Sequence, residues 1–278
     1  MEIKKQNKQK FSVVIHQDNI KNMINNTLGN EKDGQMFIAN LTSVVSANPQ
    51  LQNCDAGTII SAGLMANALK LPLNQTLGFA YIIPYKEKAQ FQIGYKGFIQ
   101  LALRSGQYEK IGVKVVHKGE TQGQDEFGDE IIKFDHAFDN EEVVGYYAYF
   151  KLTNGAKMVN YMSKEQCEKH GRRYSKSYDR LWTNDFDTMA MKTCLKLLLS
   201  KYGIMSVDIQ NAIKYDQAVL NKKGDEEIVE YVDNPAKADS EGEVSDLEEV
   251  KDLVDSTSTI IANEITDNKV QITKKQNY

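Results

Sequence analysis

The sixteen residues from Phe91 to Gly106, FQIGYKGFIQLALRSG, constrain the fold more than any other part of this chain. They read as a short apolar strand, a Gly94-Tyr95-Lys96-Gly97 turn, an amphipathic helix and a closing Arg104-Ser105-Gly106. A strand must therefore hand over to a helix within four residues. Glycine lacks a Cβ, so two of them let the backbone come close to a partner while Tyr95 and Lys96 point outward. A ring beside a cation is a common way to hold single-stranded nucleic acid, the ring on a base and the cation on a phosphate.

Periodicity around this segment organises the rest. Helical spacing runs from Phe37 to Ala47, where Asn48-Pro49-Gln50 breaks it, and from Thr58 to Leu71, ended by Pro72. Phe79–Ile93 reads as a hairpin whose strands flank Lys86-Glu87-Lys88, a basic tip that either enters a nucleic-acid groove or keeps the turn soluble. Strands are expected at Ile111–Val116, Glu130–Phe134, Val143–Leu152 and Lys157–Met162, rich in β-branched and aromatic residues. Helices follow at Ser163–Gly171, Asp185–Tyr202 and Ser206–Lys222, with Arg172–Arg180 as a polar linker. The expected class is α+β, helices flanking an antiparallel sheet with a basic hairpin. Residues 1–35 read as an N-terminal arm that orders on assembly, 36–222 as the core, and 223–278 as a flexible acidic tail available for partner docking.

The net charge of -4 hides an asymmetry. Residues 221–278 hold 7 Lys against 15 Asp and Glu, leaving 27 basic and 23 acidic residues in the first 220. A basic body suits a polyanionic partner, although a solvated surface with an acidic tail gives the same count. No apolar run approaches the length of a membrane span, and the charged MEIKKQNKQKF start has no apolar stretch behind it, which reads against secretion. Cys54, Cys167 and Cys194 form no C-x-x-C pair and read as buried thiols of a reducing cytoplasm. No P-loop and no G-x-S-x-G elbow is present, and the four histidines lack metal-ligand spacing, so no cofactor is expected.

Three basic constellations stand out. Lys169 to Arg180 interleaves Arg172, Arg173, Lys176 and Arg180 with Tyr174 and Tyr178, ahead of Trp182, as an electrostatic groove with stacking surfaces would, or as a solvated loop would. Lys192 and Lys196 share one helix face, as phosphate contacts or as solubilising charges. Lys110 and Lys114, continued by Lys118, would give a basic strand face. Against these, Asp125, Glu126, Asp129, Glu130 and Asp135 could hold Mg²⁺ for phosphodiester cleavage, but they fall in a Gly-punctuated loop, whose plainer reading is a solvated turn.

Three stretches in order resemble the phage RecT recombinases: Ile60–Pro84 with ISAGLMANALKL and FAYIIP, then IGYKG…RSG, then Trp182–Leu199, WTNDFDTMAMKTCLKLLL. The resemblance covers roughly Met36 to Ala218. It implies ATP-independent annealing of complementary single strands in homologous recombination, no catalytic site, and assembly of a homo-oligomer, ring or filament, on single-stranded and annealed duplex DNA. A phage exonuclease and a host single-strand-binding protein are implied as partners. Joined to the charge reading, it gives Lys86, Lys88, Tyr95, Lys96, Arg104, Lys110, Lys114, Arg172, Arg173, Lys176, Arg180, Lys192 and Lys196 as DNA-facing. The arm and Phe37–Leu41 are expected to help join protomers. The rival readings are the metal-dependent nuclease of Asp125–Asp135 and a structural filament-forming protein.

Overall fold

The computed structural model describes residues 9–223 and 226–233. Three helices open the chain: α1 (Phe11–Val14), α2 (Asp18–Leu28) and α3 (Glu31–Ala47). Within residues 9–35, Phe11, Ile15 and Ile24 are buried, and α1 and α2 pack on α3. Apolar residues spaced along two short helices find their cover within the chain itself. Asn30 caps α3 by accepting the Asp33 N–H at 2.8 Å, and Asp55 does the same for α4 (Ala56–Ala68) from Thr58 at 3.1 Å.

The expected hairpin follows as β1 (Ala80–Tyr85) and β2 (Lys88–Ile93), antiparallel, then α5 (Tyr95–Arg104). The glycines of the Gly-Tyr-Lys-Gly turn face inward and leave no room for a ligand. A Cβ on Gly94 would lie 2.2 Å from the Gly78 carbonyl oxygen, and one on Gly97 2.2 Å from that of Phe79. They let the start of α5 press against the chain entering β1, where the Gly94 N–H donates to Phe79 O at 3.0 Å.

The central sheet has the order β3-β6-β7, all antiparallel: β3 (Tyr108–His117), β6 (Val143–Leu152) and β7 (Lys157–Ser163). Between β3 and β6 the chain forms a separate hairpin, β4 (Thr121–Gln124) with β5 (Glu130–Ile132), so the expected strand at 130–134 does not join the main sheet. The buried Glu120 carboxylate ties the base of this hairpin, accepting the N–H groups of His117 at 2.7 Å and Asp135 at 3.1 Å.

After the sheet come α6 (Lys164–Tyr174), opened by a Ser163–Gln166 capping box, the single turn α7 (Tyr178–Leu181), and α8 (Phe186–Tyr202). The stretch expected as a linker is thus largely helical. Tyr146, Ala148 and Phe150 of β6 form one buried row, and α8 lies against it. Asn160 of β7 donates to the Cys194 carbonyl at 3.0 Å, and the Cys194 thiol reaches Tyr146 O at 3.4 Å. Burial pushes the Cys167 and Cys194 thiols up to about 12, as inert core sulfhydryls.

The last helix is shorter than its sequence suggests. α9 (Val207–Tyr215) stops at Asp216, Gln217 turns at φ +62°, and the chain continues as β8 (Val219–Lys223) paired with β9 (Glu226–Glu230). Ala218 bridges Phe91 of β2: its carbonyl accepts the Phe91 N–H at 2.9 Å, and the Gln217 N–H donates to the Phe91 carbonyl at 2.9 Å. Ordered structure therefore runs past Lys222 to a buried Asp233, and the acidic tail beyond lies outside the described residues.

Candidate nucleic-acid interface

Segments far apart in sequence converge beside α5. Gly78, at φ +72°, leaves its flank open to the Tyr81 hydroxyl and the Lys96 side chain. The Tyr81 phenol is raised by burial, then by the charge of Asp185 and by Tyr95, so the cap of α8 and the first residue of α5 both stand near it. Arg180 of α7 donates to the Pro84 carbonyl at 2.9 Å, joining the basic turn region to the hairpin. At the hairpin tip Lys86, with φ +53°, holds its Nζ 5.9 Å from the Tyr85 ring centre.

Cations and rings alternate through α6 and α7. The Arg172 guanidinium lies 4.4 Å from the Tyr178 ring centre while bonding Glu168 at 3.0 and 3.1 Å. Arg173 sits 5.3 Å from the Tyr174 ring, and Tyr178 stacks on Trp182 at 5.8 Å. Trp182 itself is buried, an anchor for the exposed layer above it. Arg172, Arg173, Lys176 and Lys96 are exposed, and Tyr95 is half-buried. The geometry is that of a charged, partly aromatic surface.

Other predicted site residues have different employment. Arg104 donates to the carbonyls of Leu69 at 2.7 Å and Lys70 at 2.9 Å, closing the end of α4. Lys88 pairs with Glu230 of β9. Lys192 corrects the exposed stripe expected on α8: it is 4% exposed and bonds Asp216 Oδ1 at 2.8 Å, while Lys196 bonds Oδ2 at 2.9 Å. The same Asp216 oxygen that holds Lys192 accepts the Ile93 N–H at 3.0 Å. Helical spacing put both lysines on one face, but that face turns toward α9. The two cations hold the Asp216 carboxyl below its ordinary range despite its burial. Desolvation, opposed by Asp216 and reinforced by Lys196, lowers the Lys192 ammonium to about 8.

The outer face of the main sheet carries the third set. Register puts Lys114 opposite Tyr147 and Tyr147 opposite Tyr161, with Gly112 opposite Tyr149. Lys110 Nζ lies 5.6 Å from the Tyr149 ring and Lys114 Nζ 4.5 Å from Phe134, which meets Tyr147 edge-on at 5.8 Å. Sequence reasoning found these lysines and missed the tyrosines, although alternation in YYAYF marks Tyr147 and Tyr149 as one face. Burial raises the Tyr147 phenol, and Asp129 and Asp125 of the β4–β5 turn add to it. Among the described residues no three His, Cys, Asp or Glu side chains are grouped to hold a metal ion, and the Asp125 carboxylate accepts the backbone N–H groups of Phe127 and Asp129.

The sequence profile of the RecT family matches residues 35–233 of this chain, most of its length and nearly all of the described fold. The chain belongs to the RecT family. Among similar proteins, the uncharacterized protein YqaK of Bacillus subtilis strain 168 is 46% identical over 183 residues, covering 66% of this chain and 64% of that relative. Protein RecT of Escherichia coli strain K12 is 29% identical over 213 residues, 73% of this chain and 78% of the relative. The match with YqaK spans just under two thirds of that relative's length. Among the described residues no helix of the RecT fold is long and apolar enough to cross a membrane.

Proposed function

We propose that this protein binds single-stranded DNA and anneals complementary strands without ATP, acting as a homo-oligomer on single-stranded and newly formed duplex DNA. The observation that carries this reading is a pair of basic, ring-bearing surfaces on one hairpin: Tyr81 with Tyr95 and Lys96 where it meets α5, and the Arg172–Arg180 region, bonded near its tip through Arg180 and Pro84. Cations there meet phosphates, and rings offer stacking to bases of any identity, which is what a sequence-tolerant strand binder needs. Arginine forks suit bidentate phosphate contact and lysines act as point charges. Base stacking and pairing supply the driving force, about 1.4 kcal/mol per step in duplex DNA, so the protein has only to hold bases accessible.

The outer sheet face, with Lys110, Lys114, Tyr147 and Tyr149, is a second surface of the same chemistry and extends the path available to DNA. An exonuclease supplying single strands and a single-strand-binding protein fit the same reading as partners. The test mixes complementary oligonucleotides with the protein in chelator and without ATP. Duplex formation faster than the protein-free control, with both strands intact on a denaturing gel, supports annealing. Cleavage dependent on added metal would move the reading to the acidic turn, and assembly without any strand binding would leave a filament protein.

A further inference from the structure

The turn between α6 and α7, Ser175-Lys176-Ser177, is closed locally by one long backbone bond, from the Tyr178 N–H to the Ser175 carbonyl at 3.3 Å. Ser177 stands at the N-terminus of α7 without a side-chain cap, and Ser175 ends α6 in an extended conformation, with no left-handed glycine behind it. Both serines are nonetheless buried, at 6% and 9% exposure, while Lys176 between them is exposed. Three shorter bonds come from more than fifty residues downstream. Asp233 Oδ2 accepts the Ser175 hydroxyl at 2.9 Å, Oδ1 accepts the Ser177 N–H at 2.7 Å, and the Asp233 carbonyl accepts the Lys176 N–H at 2.7 Å.

A carboxylate 2% exposed would be costly to bury unless its lone pairs were used. Here all its acceptor groups converge on three consecutive residues. The segment leading to it is fastened as well: Glu230 pairs with Lys88 of β2, and the Tyr231 hydroxyl donates to the Lys214 carbonyl of α9. Residues 230–233 thus form a strap that runs from the basic hairpin, past the end of α9, to the basic turn. The family match ends at this same residue.

We infer that Asp233 is a positioning residue for DNA binding: it sets the course of the Ser175–Ser177 turn and so the direction in which Lys176 and the adjoining Arg173 present their charge. The inference rests on the reading of that surface as strand-binding. A cation held ready by its backbone loses less freedom when it meets a phosphate than one on a mobile loop. Asp233 contributes without touching DNA, and against its own sign, since an anion beside cations weakens their field.

That opposition of sign makes the test sharp. Binding of a labelled oligothymidine is followed by anisotropy across a salt series, using full-length Asp233→Ala, Asp233→Asn, Arg173→Ala/Lys176→Ala, and the combination of Asp233→Ala with that pair. Losing a negative charge should by electrostatics alone tighten binding. Asn removes the charge but keeps an acceptor for the Ser177 N–H, and the Ser175 hydroxyl can turn to accept from its amide. The expected result is that Asp233→Asn binds at least as well as the unaltered protein. Asp233→Ala should bind several-fold more weakly, with a flatter salt dependence, and add nothing in the Arg173→Ala/Lys176→Ala background. Should Asp233→Ala fail to fold, Ser175→Ala removes a single bond and must weaken binding in the same direction, again only when Arg173 and Lys176 are present. The inference is overturned if Asp233→Ala keeps the unaltered salt slope, or loses the same factor in both backgrounds. If Arg173→Ala/Lys176→Ala itself binds normally, the surface reading fails and the inference goes with it.

Discussion

Two groups of cations lie within about thirty residues of each other in sequence and have opposite fates. Arg172, Arg173 and Lys176 stand exposed around α6 and the turn that follows it, two of them against tyrosine rings. Lys192 and Lys196 on α8 share one buried carboxylate, Asp216, which also holds the Ile93 N–H. Residue type and spacing are alike, so neither predicts the role. What separates them is whether the face they occupy turns toward solvent or toward another element that supplies an anion. The exposed group faces solvent, with Arg172 bonded to Glu168 of its own helix. The buried group joins α8, α9 and the end of β2, directly behind the Gly94–Gly97 turn.

The hardest blow to this distinction would come from Asp216. Changing it to Ala removes the carboxylate that both lysines bond, one of them buried, and should cost about 3–5 kcal/mol of stability. Urea unfolding measures this directly. A loss below about 1 kcal/mol would mean that the α8 lysines are solvated after all, and that the two groups are equivalent.

A pH profile sharpens the same contrast. The native Lys192 ammonium titrates near 8, whereas an unfolded lysine titrates near 10.4. Between those values the unfolded chain keeps a proton that the folded chain has released, so this group makes stability rise with pH across that window. Below pH 8 both states are protonated and the desolvation penalty is fully present. Raised tyrosines such as Tyr108 and Tyr146 act in the opposite direction at alkaline pH, so the readout is the difference from Lys192→Met. That difference should grow from pH 8 to about 10.4 in favour of the unaltered chain. A flat difference would place Lys192 in water.

How much of this was legible beforehand follows from the range of each interaction. The hairpin, α5, β6 and α8 announce themselves through local alternation or helical spacing, and their bounds fall within a few residues of expectation. The resemblance to RecT was carried by short motifs whose order alone is informative. Pairings across the fold were not legible: nothing near Lys192 points to Asp216, and nothing near Ser175 points to Asp233. The Gly-Tyr-Lys-Gly turn shows the limit well. Its glycines were found for the right reason, close approach, but the neighbour is the Gly78–Phe79 backbone rather than a ligand. The end of α9 was missed because a left-handed Gln217 has no sequence signature.

If the exposed cations are those that meet DNA, Lys96→Ala and Lys176→Ala should each weaken single-strand binding by roughly three- to tenfold and flatten the logarithmic salt slope by about 0.7. Stability should stay within about 0.5 kcal/mol, as for surface positions generally. Lys196→Ala should behave the other way, lowering stability while leaving the slope unchanged. Filter binding over a salt series, beside thermal unfolding of the same samples, separates the two. Equal slopes for Lys176→Ala and the unaltered chain would remove Lys176 from the interface.

Arg104 gives the smallest effect and the most discriminating one, because it looks exposed yet is occupied. Its guanidinium closes the last turn of α4 by bonding the carbonyls of Leu69 and Lys70, the latter in a left-handed conformation at φ +52°. These carbonyls have no helical partner, so the arginine acts as a cap delivered from α5. Arg104→Ala should lower stability by about 1 kcal/mol, a typical net value for such bonds in a partly solvated setting. Lysine reaches one carbonyl but cannot fork to two, so Arg104→Lys should recover only part of that loss. Neither change should alter the salt slope for single-stranded DNA. A slope flattened by Arg104→Ala would show that exposure outweighs partners, and the line between the two groups of cations would have to be redrawn.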